Sequence, residues 1–356
     1  MKILTVIIPS YNMEDYLQGC LDSLGVDNYP FMQDSLEVLI VNDGSKDRTS
    51  EIAHEYERQW PAVFRVIDKA NGNHGSCVNR GLDEAEGVFV RVLDADDTFD
   101  AQAFSEYIEF MRKVEASAPD TVDQIVSNYV EVGPEGRVLQ TFIYDYPVGH
   151  PFALSEIVNK PLHQALSANA YRTERVRAID YRQTEGISYS DNEWRFKPIA
   201  NVRKAAYFPK VVYRYLIGRP GQSMSGQVWM RSSGMLMRVL EAMLKEYAFR
   251  KTEMEDGNRQ VMFKDLLQTA ALVVQQLFYY VPIRESASRF KVLIKAINDN
   301  VPELFPELDK QVICQRFLPF YYFAKARACP NGFVCYAEIV RGLRCATRMI
   351  KGIIER

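Results

Sequence analysis

Short apolar runs rich in β-branched residues alternate, over the first hundred residues, with segments whose apolar side chains recur at three- and four-residue spacing. Residues 4–8, 36–41, 64–67 and 88–93 read as strands. Residues 14–24 (Tyr16, Leu17, Cys20, Leu21, Leu24), 49–60 and 76–85 read as helices. Such alternation predicts an α/β fold, a mostly parallel sheet with helices on both faces. Ligands of these sheets bind outside the carboxyl ends of the strands. The polar residues that follow each strand are therefore where chemistry is expected.

From about residue 100 to 225 the pattern is less regular. Residues 125–132 and 138–143, joined by Gly133-Pro134-Glu135-Gly136, predict a hairpin, and residues 218–226 (GRPGQSMSG) a loop. Helical spacing then dominates residues 229–247, 261–280, 286–297 and 336–354. A chain of 356 residues suits about two domains, so we place an α/β domain at 1–225 (donor half 1–100, acceptor region 101–225) and a helical domain at 226–356.

Apolar residues make up 47% and charged residues 25%, enough for a core, and the net charge of −3 gives no basic field for nucleic acid. The opening run MKILTVIIPSYN is too short for a signal peptide and reads as a buried strand. Residues 266–283 form the longest apolar stretch, but Gln268, Gln275 and Gln276 mark it as a core helix, and a cytoplasmic location is expected. The six cysteines form no Cys-x-x-Cys pair and read as reduced structural thiols. The last helix carries Arg341, Arg344, Arg348, Lys351 and Arg356 beside Leu343, Ile350 and Ile353. Two readings stay open: a docked helix with a solvated basic face, or peripheral contact with anionic lipid at the inner face of the membrane.

Four constellations follow predicted strands or open helices. Pro9-Ser10-Tyr11-Asn12 offers an aromatic ring that can lie against a base. Asn42-Asp43-Gly44-Ser45 is either an Asp-Gly turn or, through Asp43, an acceptor for a ribose hydroxyl or base N–H. Asp94-Ala95-Asp96-Asp97 crowds three carboxylates after an apolar run. Their repulsion calls for a cation, and oxygen ligands suit Mg²⁺ or Mn²⁺, which would neutralise a diphosphate. Tyr189-Ser190-Asp191-Asn192-Glu193-Trp194 is either an acidic helix start or the seat of a general base. His74 and His163 lack the spacing of a metal pair and read as structural or acceptor-contacting.

In this order the motifs resemble the family 2 glycosyltransferases. The resemblance rests on the strand-end Pro-Ser-Tyr-Asn, the Asn-Asp-Gly-Ser-x-Asp-x-Thr run from Asn42 to Thr49, the Asn- and Gly-rich segment from Asn71 to Gly81, and Leu-Asp-Ala-Asp-Asp. It is close over residues 3–100, looser through Asp191 to Arg219-Pro220-Gly221-Gln222-Ser223, and absent beyond 226. It implies the GT-A fold and inverting transfer of a sugar from a nucleotide-sugar, UDP-linked, to a hydroxyl of a glycan or glycolipid, in cell-envelope or capsule polysaccharide synthesis. Pro9, Tyr11, Asn12 and Asp43 would hold the nucleotide, with Gly75 and Asn79 also at the donor. Asp94, Ala95 and Asp96 would meet the diphosphate, with Mn²⁺ or Mg²⁺ on Asp96 and Asp94. Asp191 would be the base, and Arg219, Gln222 and Ser223 a loop near the donor phosphates.

Two departures stand out. Val78 precedes Asn79 where the family often has Arg, and Ser190 precedes Asp191 where it usually has Glu, leaving Glu193 as the second candidate base. Three alternatives compete. One is a phosphatase of the haloacid dehalogenase type, reading Asp94-Ala95-Asp96-Asp97-Thr98 as its nucleophile motif. The second is a non-catalytic carbohydrate-binding scaffold. The third makes the helical half a docking module for a partner.

Overall fold

A computed structural model describes residues 1–27, 31–160, 166–219, 222, 233–310, 318–329 and 332–354. The chain divides into two compact units, Met1–Gln222 with Met254–Val261, and Ser223–Glu253 with Met262–Arg356.

The first unit opens with β1 (Leu4–Ser10), α1 (Leu17–Asp22), α2 (Met32–Ser35), β2 (Leu36–Asn42), α3 (Thr49–Gln59), β3 (Phe64–Asp68), α4 (Asn73–Glu84) and β4 (Phe89–Val92). Strands β3, β2, β1 and β4 lie side by side, all parallel. β1 and β2 are buried along their whole length, which explains their unbroken apolar sequence. Apart from the short α2, this half contains the strands and helices expected from the sequence.

The rest of the unit adds β5 (Thr98–Phe99), α5 (Ala101–Ser117), β6 (Gln124–Val132), β7 (Val138–Phe142), β8 (Asn169–Arg172), α6 (Thr173–Ala178), α7 (Asp191–Phe196) and β9 (Ala205–Leu216). The expected hairpin is present as β6 and β7. Here the sheet is mixed: β8 runs antiparallel to β4 and β6, β9 parallel to β6, and β5 antiparallel to β9. Among the described residues nine strands form one sheet, in the order β3-β2-β1-β4-β8-β6-β9-β5 with β7 beside β6. β4 and β5 are joined by residues 93–97 alone, yet β8, β6 and β9 lie between them. Flat strands would put them about 19 Å apart, close to the ~20 Å limit of a fully stretched link. The link is instead folded into a turn, with Asp97 N–H donating to Asp94 C=O at 3.0 Å. The sheet must curl, and curling carries β9 up to the acidic turn.

Helix α5 falls where the sequence pattern was read as irregular. Asp100 caps it, accepting from Ala103 N–H at 2.9 Å, and Phe104, Tyr107, Ile108 and Met111 form its buried face. Residues 254–261 were assigned to the helical half but belong to the first unit. Asn258 is the reason: its side-chain amide donates to Ile199 C=O (2.8 Å) and Val202 C=O (2.7 Å).

The second unit is helical: α8 (Ser233–Arg250), most of α9 (Asp256–Tyr279), α10 (Ile283–Asn300), α11 (Leu304–Asp309), α12 (Leu318–Ala328) and α13 (Phe333–Ile354). Phe290 stacks on Phe333 at 4.4 Å and meets Phe323 edge-on, forming part of the core. Leu266, Ala270, Val274 and Phe278 are fully buried, so the apolar stretch of α9 is a core helix. Among the described residues no helix is long and apolar enough to cross a membrane.

Of the basic residues on the last helix, Arg341 faces inward. Its guanidinium turns inward and donates to the carbonyls of Phe278 (2.8 Å), Leu277 (3.2 Å) and Val281, capping the carboxyl end of α9. The side chains of Arg344, Arg348, Lys351 and Arg356 lie outside the described residues.

Candidate active site

Because β1, β2 and β4 are parallel neighbours, the segments that follow them emerge at one edge of the sheet. After β1, Tyr11 is 46% exposed, its ring open to a partner. Asn12, at φ +53°, ties this loop to the next: its N–H donates to Ser45 Oγ (3.1 Å) and its Oδ1 accepts from Lys46 N–H (2.9 Å). Pro9 sits inside buried β1, opposite Val41.

Asp43 is buried and busy. Its carboxylate accepts from Lys69 Nζ (2.6 Å), Gly72 N–H (2.9 Å) and Asn73 N–H (2.8 Å). Lys69 spends its other protons on Ala70 C=O and Ser76 Oγ. Asp43 therefore organises the loop into α4, a task the sequence did not reveal.

Gly75 and Asn79 were expected at the donor, but both serve a different neighbour. The Asn79 amide donates to Gln183 C=O and Glu185 Oε1 (2.9 Å each) and accepts from Gln183 N–H (2.7 Å). A Cβ built on Gly75 would collide with Thr184 C=O. Both residues fasten segment 183–185 against α4. We expect Gly75→Ala to cost about 1–3 kcal/mol, since it overpacks against backbone. Thermal unfolding checks this, and an unchanged Tm would refute the close approach.

The acidic turn holds three differently employed carboxylates, with oxygens all within 4.8 Å of one another. Asp94 pairs with His74 Nε2 at 3.0 Å. Asp96 pairs with Arg219, whose guanidinium also lies 5.4 Å over the Tyr16 ring. Asp97 is fully buried and accepts from Tyr213 O–H (2.6 Å) and Leu216 N–H (2.8 Å). Burial, then repulsion from Asp94, pushes Asp96 above the ordinary carboxylate range despite Arg219. Burial, then Asp96 and Asp94, pushes Asp97 higher still. Burial opposes charge on His74, yet its hydrogen bond to Asp94 and the fields of Asp94, Asp191 and Asp96 raise it. Asp97 thus staples the turn to β9, and Ala95 is buried between the acids. Asp94 and Asp96 present hard oxygen donors in a site short of positive charge, a set that fits a divalent cation. Gln222 stitches its own loop, accepting from Gly218 N–H (2.8 Å) and donating to Leu216 C=O (2.6 Å). Ser223 and His163 lie outside the described residues.

Asp191 is the first residue of α7. It lines, together with Asp94, a cavity of about 170 Å³. Burial raises its pKa, His74 pulls it down, Asp94 pushes it up and Arg195 pulls it down; the net direction is upward. Glu193 is no substitute. It is fully buried, paired with Lys197 at 2.5 Å, accepts from Thr184 N–H at 3.2 Å and does not line the cavity. Tyr129, Glu131, Arg195, Tyr213 and Tyr215 complete the walls with Leu166 and Asn192. Asn192 lies in the constellation around Asp191, and Tyr213 and Tyr215 lie in the Tyr213-Arg214-Tyr215-Leu216 segment, where the family resemblance continues loosely. None of the wall residues is given a role from sequence, although Arg195 follows Asp191 at one-turn spacing and Tyr213 and Tyr215 alternate on one strand.

A family model described as Glycosyl transferase family 2 matches residues 5–165. The uncharacterized glycosyltransferase MG025 homolog of Mycoplasma pneumoniae is 31% identical over 229 residues, 62% of this chain and 70% of its own length. The poly(ribitol-phosphate) beta-N-acetylglucosaminyltransferase TarS of Staphylococcus aureus is 24% identical over 229 residues, 63% of this chain but 37% of its own length. The crystal structure of S. aureus TarS 1-349 superposes with TM-score 0.69 at 20% identity, covering 96% of this chain and 92% of that one. Its complex with UDP-GlcNAc gives TM-score 0.67 at 20% identity with the same coverage. These structures share the GT-A fold with the chain, including its helical C-terminal region. With its acidic turn at the strand ends and a relative matched over most of its length, the chain belongs to glycosyl transferase family 2.

Proposed function

We propose that the protein transfers a sugar from a UDP-linked donor to a hydroxyl of a glycan or glycolipid, with inversion, in the assembly of a cell-envelope polymer. One observation carries this reading: Asp94, of the acidic turn, and Asp191 face the same cavity. An inverting displacement needs a leaving diphosphate on one side of the anomeric carbon and a deprotonated acceptor on the other. Asp191 is suited to take the acceptor proton. Tyr11 supplies an exposed ring for the base, and Asp43 holds the loop that leads into α4. Arg219, on Asp96, brings a guanidinium to the phosphates. Asp94 and Asp96 would hold Mn²⁺ or Mg²⁺, which supplies positive charge against the leaving diphosphate when bound. UDP as the nucleotide is supported by the UDP-GlcNAc complex of TarS. The same reading keeps the protein cytoplasmic, at the inner membrane face when the acceptor is a glycolipid.

Family membership leaves the phosphatase alternative without support. The scaffold alternative predicts no turnover. Calorimetry of UDP binding with and without Mn²⁺ tests the proposal: binding strengthened by Mn²⁺ is expected. Silence toward UDP, and toward GDP and CDP, would overturn it in favour of a scaffold.

A further inference from the structure

We propose that Glu131 and Tyr215 read the acceptor, and that the group they read is an uncharged sugar ring rather than a polyol-phosphate chain. This rests on the transfer reading above.

The argument begins with strand register. In the parallel pair β6–β9, Tyr129 faces Tyr213 and Glu131 faces Tyr215. Residues two apart on a strand share a face, so these four side chains form one patch on one side of the sheet. All four line the cavity that contains Asp191. Two of them are already committed. The Tyr213 hydroxyl donates to Asp97, and Tyr129 stacks on Phe142 at 4.3 Å with ring planes 4° apart. Tyr213 and Tyr215 continue the row of rings, their centroids 6.0 Å apart. The other two polar ends are open: among the described residues, no hydrogen bond reaches the Glu131 carboxylate or the Tyr215 hydroxyl. Glu131 is half-buried. Both ends are still reached by water, so a ligand entering the cavity can take them as partners by displacing it.

An aromatic row beside a carboxylate matches one face of a sugar. The ring's C–H face packs on the aromatics, and a carboxylate accepts from two neighbouring hydroxyls through its two oxygens. Charge excludes the alternative. Among the described lining residues, Asp94 is paired with His74 and would share the metal, which leaves the carboxylates of Glu131 and Asp191 against the guanidinium of Arg195 at the acceptor end. A phosphodiester brought there meets like charge, which is an effective way to reject a wrong partner.

The test is steady-state UDP release by the full chain with Mn²⁺ and a panel of UDP-sugars. Octyl β-glucoside and octyl β-galactoside are compared with a glycerol-phosphate oligomer as acceptors. An octyl hexoside should be used and the oligomer should not. Glu131→Gln should raise the hexoside KM about tenfold or more, with a smaller effect on kcat, as expected for a lost hydrogen bond from a charged acceptor. UDP affinity by calorimetry, unchanged in this variant, controls for folding. Preference for the oligomer, or a hexoside KM unmoved by Glu131→Gln, would overturn the proposal. A wild-type chain that fails to bind UDP would instead overturn the donor reading, and this inference with it.

Discussion

Replacing Asp191 by Asn should lower transfer by about 10²–10⁴-fold while leaving UDP affinity unchanged, the range typical of a lost general base. Asparagine keeps the shape of the carboxylate but cannot accept a proton. Asp191 begins α7 and shares its cavity with Asp94, while Glu193 is spent on Lys197 and Thr184 and cannot take its place. The pH profile gives an independent readout. A base works deprotonated, and burial, only partly offset by His74 and Arg195, holds Asp191 above the ordinary carboxylate range. The wild-type kcat/KM should therefore fall on acidification at a higher pH than an ordinary aspartate would dictate. The residual rate of Asp191→Asn should lack that limb. Wild-type-like turnover in the variant would sink the assignment.

The parallel half of the fold was legible because each of its elements is specified locally. β1 and β2 are apolar throughout, being buried on both faces, and α3 and α4 show helical spacing. The acidic turn was legible for a related reason: its carboxylates are contiguous in sequence. The mixed half was not, because β8, β6 and β9 are ordered by pairings between distant segments that leave no short-range pattern. Tyr213 illustrates this. It reaches Asp97 only because the sheet curls, and the Tyr213-Arg214-Tyr215-Leu216 segment does not reveal that partner. Asn79 fails in the opposite way. Its place in the motif does not reveal which atoms the side chain will meet, and the amide is taken by Gln183 and Glu185. The sequence assigns the metal to Asp94 and Asp96 and gives Asp97 no role of its own; two donors from β9 make it structural. Helix α5 was within reach, since Asp100 and the spacing of Phe104, Tyr107, Ile108 and Met111 are ordinary helix signals.

Removing Asp94 and Asp96 together, as Asp94→Ala/Asp96→Ala, should abolish the strengthening of UDP binding by Mn²⁺ and lower transfer by about 10²–10³-fold or more, the loss expected when charge stabilisation at a leaving group is removed. The acidic turn keeps repelling carboxylates close together, and burial makes that repulsion harder to screen. Such an arrangement is unfavourable for folding alone and becomes sensible once a cation shares it. Without the two acids, the Arg219 guanidinium gives up its ion pair with Asp96 and can turn toward a diphosphate. Metal-independent UDP binding should therefore survive in the double variant. Asp97→Asn should behave differently. Its oxygens hold Tyr213 and Leu216, so it should lose about 1.5–3 kcal/mol of stability, the worth of a charged hydrogen bond, while keeping its response to Mn²⁺. Calorimetry and thermal unfolding on the two variants separate the roles. A double variant that still responds to Mn²⁺ would remove Asp94 and Asp96 from the metal site. An Asp97→Asn variant that unfolds like wild type while losing the Mn²⁺ response would move the metal to Asp97.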